Sequence, residues 1–476
     1  MHGTSSAAGA AQATALPRKY VVSYAAMTVP LAVAGLPIAI FVAPLYTDHV
    51  GLSLTTVGIL LMLPRLVELL IDPLIGRLSD LTRSRFGRRK PWIMVGIPVM
   101  MLGTYGVFMP ERDAHWGELL GWLCLFYLGW SLITVPYAAW GAELSEDYDE
   151  RSRIATARET WSVLGLLAAV IVPVLVQAPD QGGSLAERET AEIASGVAAQ
   201  GWLTIAALPV LGYILLRFVP LGNVPTSTSR PTVSRRVLLD NRPFVLLIAV
   251  TIISAFASGV NQTSVVHYYR YVAQLPESAD FMILIFFVAA IVGAPVWGWL
   301  AKHHEKHHVL ASALTVNALC QFVMLWMQPG DVIAFSLLQA GSGFAYTGPL
   351  ILGASMAADV IDLDWLRCGV QRAGFVIAVM TVVQKACEAI GVGASLPMLE
   401  WMGFAVSNGY SAQAQWALIV INVILPAALL ALATIPAMAF PLTRRRQRAL
   451  ERALHKYRSS SATPPPIELD KSITST

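Results

Sequence analysis

Twelve long apolar stretches recur along the chain, and they constrain its fold more than anything else in the sequence. Their limits read as 21–46, 54–79, 91–110, 118–142, 159–178, 201–219, 243–269, 279–301, 309–328, 332–357, 373–400 and 415–440. At about 1.5 Å per residue each can cross ~30 Å of hydrocarbon as a helix. In lipid every backbone N–H and C=O needs a partner within the protein, which leaves helices or a closed barrel. Composition agrees. Of the 476 residues 55% are hydrophobic and 13% charged, against about 25% charged in soluble domains. The expected fold class is an all-α membrane protein of twelve transmembrane helices.

Charge placement gives the orientation. Twenty-eight of the 33 Lys and Arg residues fall on one side of this scheme, in the N-terminal segment, alternate loops and the C-terminal tail. The other side holds Arg112, Arg188 and Arg270, and Arg65 and Lys385 lie within spans. The positive-inside rule puts the basic side, and both termini, in the cytoplasm of a plasma (inner) membrane. The net charge of +3 is too small to suggest a nucleic-acid partner.

The longest basic-side loop divides the spans six and six, as in carriers built from two bundles about a membrane-normal axis. The expected layout is a cytoplasmic segment 1–20, a six-helix bundle 21–219, a central loop 220–242, a second bundle 243–440, and a tail 441–476 that is basic and then disordered. The outer loop 179–200 is polar, with room for a short helix. Met1 to Leu16 has neither a basic nor an apolar signal region, so no cleavable signal peptide is expected. Cys124, Cys320, Cys368 and Cys387 lack metal-ligand spacing and do not suggest a disulfide framework.

Within the second span, Glu68 and Asp72 stand one helical turn apart among apolar residues. A charge at bilayer depth costs at least ~2.5–3.5 kcal/mol, and like charges at this spacing repel. The pair therefore holds a cation, shares a proton, or meets a basic partner such as Arg65 or Lys385. That points to a cation-coupled transporter. Lys385 has a competing local partner in Glu388, three residues on.

The segment Asp72 to Trp92 carries Gly76, where helices can pack closely, then Asp80, Arg85 and the run Gly87-Arg88-Arg89-Lys90. This string resembles the loop 2–3 motif of the major facilitator superfamily. More narrowly, it is similar to the glycoside–pentoside–hexuronide cation symporters, the family of the melibiose permeases. Val135-Pro-Tyr137-Ala-Ala-Trp140-Gly-Ala-Glu143, Glu150-Arg151 through Arg158, and Ala358-Asp359-Val-Ile-Asp362 with Arg372 and Lys385 resemble further segments of that family. The matches span both halves of the chain.

The resemblance implies a major facilitator fold of two six-helix bundles and a cation site at Glu68, Asp72 and the Ser131 hydroxyl. It implies that Lys385 faces the pair across the cavity and that Arg158 contributes to solute binding. Asp80, Arg85, Glu143 and Arg151, with Asp359 and Arg372, are expected to form a charged gate on the cytoplasmic side. The chain also departs from the family. Glu68 replaces the more usual Asp, and Ile71 stands where a carboxamide is often found. These departures leave Na⁺ or Li⁺ against H⁺ open. Ala32, Thr134, Ala138 and Leu350 occupy positions where melibiose permeases carry sugar-binding carboxylates and indoles, which argues against a galactoside. Candidate solute residues are Arg158, Lys385, Thr134, Tyr137, Trp130, Tyr346 and Gln262, with Asn261, His267, Gln339 and Gln384 as further polar groups.

No phosphate-cradling glycine loop and no nucleophile–base order is seen, so an enzyme is not expected. The basic, histidine-rich run Lys302 to His308 is too tightly spaced for a tetrahedral metal cage and suits a short loop. No cofactor is expected beyond a coupling Na⁺ or H⁺, and no metal beyond that cation. The expected function is symport of a small sugar-like solute with the cation by a monomer in the bilayer. The alternative is a cation-coupled carrier of an amphiphile such as a lysolipid.

Overall fold

A computed structural model of the chain describes residues 16–145, 147–176, 185–221, 241–368, 373–450 and 452. Twelve helices in it are long and apolar enough to span a membrane. They are α1 (Arg18–Ile40), α2 (Leu54–Leu81), α3 (Lys90–Phe108), α4 (Trp116–Glu143), α5 (Arg153–Leu175), α6 (Thr190–Phe218), α7 (Arg242–Tyr271), α8 (Ala279–His303), α9 (Lys306–Trp326), α10 (Val332–Leu366), α11 (Ala373–Trp401) and α12 (Ala412–Met438). No strand occurs among the described residues.

Local chemistry sets the helix ends. The Ser53 hydroxyl accepts from the Thr56 N–H at the start of α2, and the Ser411 hydroxyl accepts from the Ala414 N–H before α12. Each satisfies one of the orphan donors of a first turn. Prolines disturb the first span: the chain passes from Thr28–Ile40 into a short turn ending at Pro44 and a wide turn at Leu45–His49. A second wide turn, Val420–Ile424, precedes Pro426 in α12 and carries Asn422.

Several helices outrun their apolar cores. The helix containing α6 starts at Leu185, so much of the expected polar outer loop is helical. The helix containing α5 starts at Tyr148 and puts Arg151 and Arg158 on one rod. The helix containing α10 runs to Cys368 and carries Asp359. In each case polar residues continue a helix already nucleated by its neighbour, since extension adds a hydrogen bond per residue. Residues 1–15, most of the central loop (222–240), Arg372 and the tail from 453 lie outside the described residues.

Helices α1–α6 form one half and α7–α12 the other. Within the halves α3 packs along α4, and α7 along α11; the halves meet where α2 lies on α11, α5 on α8 and α1 on α7. At Gly259 and Gly391 the backbones of α7 and α11 come so close that a Cβ would collide with the carbonyl of Glu388 or Phe256. Gly76 is different. A Cβ there would make only an ordinary 3.6 Å contact with Val135, so close packing does not require it.

One buried apolar core runs through both halves. It includes Tyr46 and Phe108 on one side and Tyr269, Phe335, Leu399 and Phe404 on the other. These lie toward the face opposite the basic loops. A second core, around Leu247, Trp297, Leu314 and Met356, belongs to the C-terminal half alone. Exposed Leu70, Ile333 and Trp401 belong to the large apolar outer surface that a lipid-facing bundle presents.

Candidate functional site

Midway along α2, Glu68 and Asp72 share one helix face, as their spacing of four requires. Opposite them, Lys385 projects from α11. Its ammonium donates to Glu68 Oε1 at 2.8 Å and to Asp72 Oδ2 at 3.1 Å. The Ser131 hydroxyl of α4, fully buried, donates to Asp72 Oδ1 at 2.6 Å. One ammonium thus neutralises two carboxylates that would repel each other, and it does so across the boundary between the halves. Glu68 is nearly out of solvent, whereas the Lys385 side chain is 40% exposed.

The alternative partners lie elsewhere. Arg65 donates to the Tyr127 hydroxyl at 2.6 Å, and Glu388 accepts from Gln262 at 3.1 Å. Among the described residues no group of three or more His, Cys, Asp or Glu could hold a metal ion. Glu68, Asp72 and the Ser131 hydroxyl together offer several hard oxygen atoms to a small cation.

Other candidates divide between cavity and packing. Tyr346 and Gln262 line a cavity of about 460 Å³ in the C-terminal half, with Asn261, Gln339 and Gln384. Tyr137 does not reach it. Its ring stacks on Tyr24 at 4.3 Å, and each hydroxyl donates to the other's backbone carbonyl at 2.9 Å, tying α4 to α1. The Thr134 hydroxyl turns back to the Trp130 carbonyl at 2.9 Å. Trp130 itself packs on Phe126 and against Gly35. Arg158, partly exposed, pairs with the adjacent Glu159 at 3.0 Å.

The basic-face cluster has a different hub from the one expected. Arg89, not Arg85, donates to Asp80 at 2.5 Å, to Glu143 at 2.7 Å and to the Ser79 hydroxyl at 2.6 Å. Arg88 adds a second pair to Glu143 at 2.9 Å. Gly87, with φ +88, turns the loop back so that the residue just before α3 returns to the end of α2. Arg85 sits instead beside the Phe86 ring, and Arg151 caps the Ser145 carbonyl at 2.7 Å. Asp359 accepts from Lys306 at 2.7 Å and from Gln447 at 2.8 Å, within its own half. Arg372 lies outside the described residues. Gly87 just ahead of the Arg88-Arg89 pair was the signal that could have singled out Arg89.

At the opposite face lies a group that the sequence reading missed. Asp48 accepts from Arg270 Nη1 at 2.7 Å, and its other oxygen lies 3.3 Å from His267 Nε2. Thr47 contacts the same His267 nitrogen at 3.3 Å. Burial alone would raise the Asp48 carboxyl, but His267 and Arg270 hold it below the usual carboxylate range. His267 therefore belongs to this junction and not to the cavity. Nearby, the Thr55 N–H donates to Glu400 at 2.6 Å, and Gly58 gives room for Pro397 of α11. The bonds seen to join the halves thus run from the opposite face to mid-membrane.

Comparison with known proteins places the chain in a family. The family model described as MFS/sugar transport protein matches residues 23–444. An uncharacterized symporter of Bacillus subtilis, YnaJ, is 26% identical, covering 86% of this chain and 88% of its own. The glucuronide carrier protein homolog of Escherichia coli is 24% identical, covering 85% and 88%. The sphingosine-1-phosphate transporter MFSD2B of Xenopus tropicalis is 23% identical, covering 72% and 71%. The solved nucleoside transporter NupG shares the fold with a TM-score of 0.64 at 9% identity, covering 88% of this chain and 98% of its own.

Proposed function

From its membership of the MFS/sugar transport protein family, within the major facilitator superfamily, we propose that this chain carries a small organic solute in symport with a monovalent cation, Na⁺ or H⁺. It is a multi-pass membrane transporter and not an enzyme. The basic face is cytoplasmic, with both termini, and the membrane is the plasma (inner) membrane. The carrier works as a monomer, and its halves rock about a central site.

One observation carries the reading. Lys385 bridges Glu68 and Asp72 from the other half, 2.8 and 3.1 Å away. The ammonium stands in for the coupling cation when the site is empty. Cation binding to Glu68, Asp72 and Ser131 displaces it, frees the α2–α11 contact and changes the balance between the two access states. Hydrophobic lining of the cavity favours a second reading in which the solute is an amphiphile.

Reconstituted vesicles given an inward Na⁺ or pH gradient test the proposal. A panel of glycosides, hexuronates and lysolipids is screened for uptake. Accumulation of a panel solute that collapses with the cation gradient is the expected result. Uptake indifferent to both gradients would overturn it.

A further inference from the structure

Just past α12 the chain forms a short helix over 444–450, beginning six residues beyond Met438. Its approach is fixed. Phe440 belongs to the buried core of the C-terminal half, and Leu442 packs against that core. The Gln447 N–H donates to the Thr443 carbonyl at 2.9 Å, which closes the first turn. One side of the helix is docked. The Arg444 N–H donates to Glu305 at 2.8 Å, Arg444 Nη1 donates to the His303 carbonyl at 2.7 Å, and Gln447 donates to Asp359 at 2.8 Å.

The other side is bare and cationic. Arg445, Arg448 and Arg452 are exposed, and 452 is helical as well. Spacings of three and four put them on one helix face. Among the described residues no carboxylate pairs with any of the three. Arg452 Nε turns along the same face to the Arg448 carbonyl at 3.2 Å. From 444 to 458 the sequence holds seven Lys or Arg against one acid, Glu451, so the positive charge is not cancelled locally.

Trp299 sets the depth of this face. It is 57% exposed near the end of α8, and its ring lies 4.6 Å from that of His303, whose carbonyl receives Arg444. Tryptophans at the ends of spans sit at the level of the lipid headgroups. The arginine face therefore starts at headgroup level. Clusters of arginine placed there, directly after a span, suit the phosphates of anionic lipids. Those phosphates already lie at that level, whereas a soluble polyanion would have to enter the headgroup layer to reach it.

We propose that Arg445, Arg448 and Arg452 bind the phosphate groups of anionic phospholipids in the leaflet on the basic side, and that this lipid holds the helix against the ends of α8 and α10. The inference needs the membrane spans and not the transport reading.

A spin label at Ala449, exposed on the same face, tests it in the full-length protein. The four native cysteines are replaced by serine, and Ala449→Cys is labelled. The protein is placed in nanodiscs of phosphatidylcholine alone or mixed with phosphatidylglycerol. Each arginine near an anionic surface shifts a partition about fivefold, so three shift it about a hundredfold. The label should be open to a water-soluble nickel chelate in phosphatidylcholine and shielded from it once phosphatidylglycerol is present. About 1 M salt, where the Debye length falls to about 3 Å, should restore the accessibility.

Arg445→Gln, Arg448→Gln and Arg452→Gln together should abolish the shielding. Arg445→Lys, Arg448→Lys and Arg452→Lys together should keep it. None of these three side chains docks the helix, so an unchanged label spectrum in phosphatidylcholine shows the glutamine variant folded. A second label at exposed Ser84, in the loop before α3, is the local control, and its response to phosphatidylglycerol should be the same in parent and variant. No shielding at Ala449 in phosphatidylglycerol, shielding that survives the glutamine changes, or an equal loss at Ser84 would each overturn the proposal. So would a polyuridine oligomer that immobilises the Ala449 label in phosphatidylcholine while phosphatidylglycerol leaves it unshielded, since the face would then belong to nucleic acid. Uptake enters none of these readouts, so their failure leaves the transport reading where it stands.

Discussion

Arg270 near the end of α7 donates to Asp48, beyond the end of α1, over 2.7 Å, and this pair joins the two halves at the face opposite the basic loops. Neither side chain is more than 5% exposed. An ion pair so placed is strong evidence about conformation, because separating the halves here would return both groups to water.

Asp48→Asn should open that face. Removing one partner of a buried pair costs about 3–5 kcal/mol, all of it charged against the closed arrangement. Spin labels at Asp113 and Gln328, both exposed beside this face, would report the separation. A longer-distance population should grow in the variant. An unchanged distance distribution would show that the pair does not hold the face shut.

Mild acid should leave this junction intact. The Asp48 carboxyl sits below its ordinary value of about 3.9. A depressed carboxylate stabilises the folded arrangement above the ordinary value, and that contribution is lost only as pH falls through the lower, folded one. The same label pair should therefore give the same closed population at pH 7 and pH 5. Opening between those values would show that Asp48 protonates in the wrong range for its surroundings.

On the basic face, Arg89→Gln should destabilise more than Arg85→Gln. Arg89 is 8% exposed and Glu143 6%, so breaking their pair strands a buried carboxylate. Arg88 still reaches Glu143, which puts the loss near the lower end of the buried-pair range, about 3 kcal/mol. The Asp80 contribution is small because that carboxylate is 59% exposed. Arg85 contacts only a neighbouring ring among the contacts seen, so its loss should stay within about 0.5 kcal/mol. Unfolding in mixed micelles compares the two. Equal effects would remove Arg89 from the centre of the cluster.

These contrasts show what the sequence could tell. The twelve spans were legible because apolar length alone decides membrane insertion. Glu68, Asp72 and Lys385 were legible as a group because a charge at that depth demands a partner, and the structure brings the three together. The basic run itself, having no period, did not separate Arg89 from Arg85; only the turn at Gly87 decides which side chain returns to α2. The Asp48–Arg270 pair was hidden for another reason. It depends on how two halves meet, and both residues looked like ordinary polar ends of spans. Tyr137 was misread because an aromatic with a polar tip suits a cavity and a packed, hydrogen-bonded interface equally well.

Glu68→Gln should be the milder of the two α2 changes. Glutamine keeps an acceptor near Lys385, and Asp72 with Ser131 remains to hold the ammonium or a cation. Gradient-driven uptake should fall by about tenfold, the lower end of the cost of one charge-assisted bond, because an acceptor remains. The response to Na⁺ and to pH gradients, measured separately, should no longer match that of the parent. A variant with both responses unchanged would take Glu68 out of the cation site.

Asp72→Asn should separate exchange from accumulation. Asp72 alone touches both Ser131 and Lys385, so it links α4, α2 and α11 at one point. Without its charge the site no longer binds a cation better in one access state than in the other. A gradient can bias the two states only through such differential affinity. Exchange of internal for external solute needs only the solute site and the rocking motion, so counterflow in vesicles loaded with a transported panel solute should persist. Uphill uptake under an imposed Na⁺ or pH gradient should vanish. If the variant still concentrates solute with normal ion dependence, coupling does not pass through Asp72. Lys385 would then be a structural tie between the halves and not a stand-in for the travelling cation.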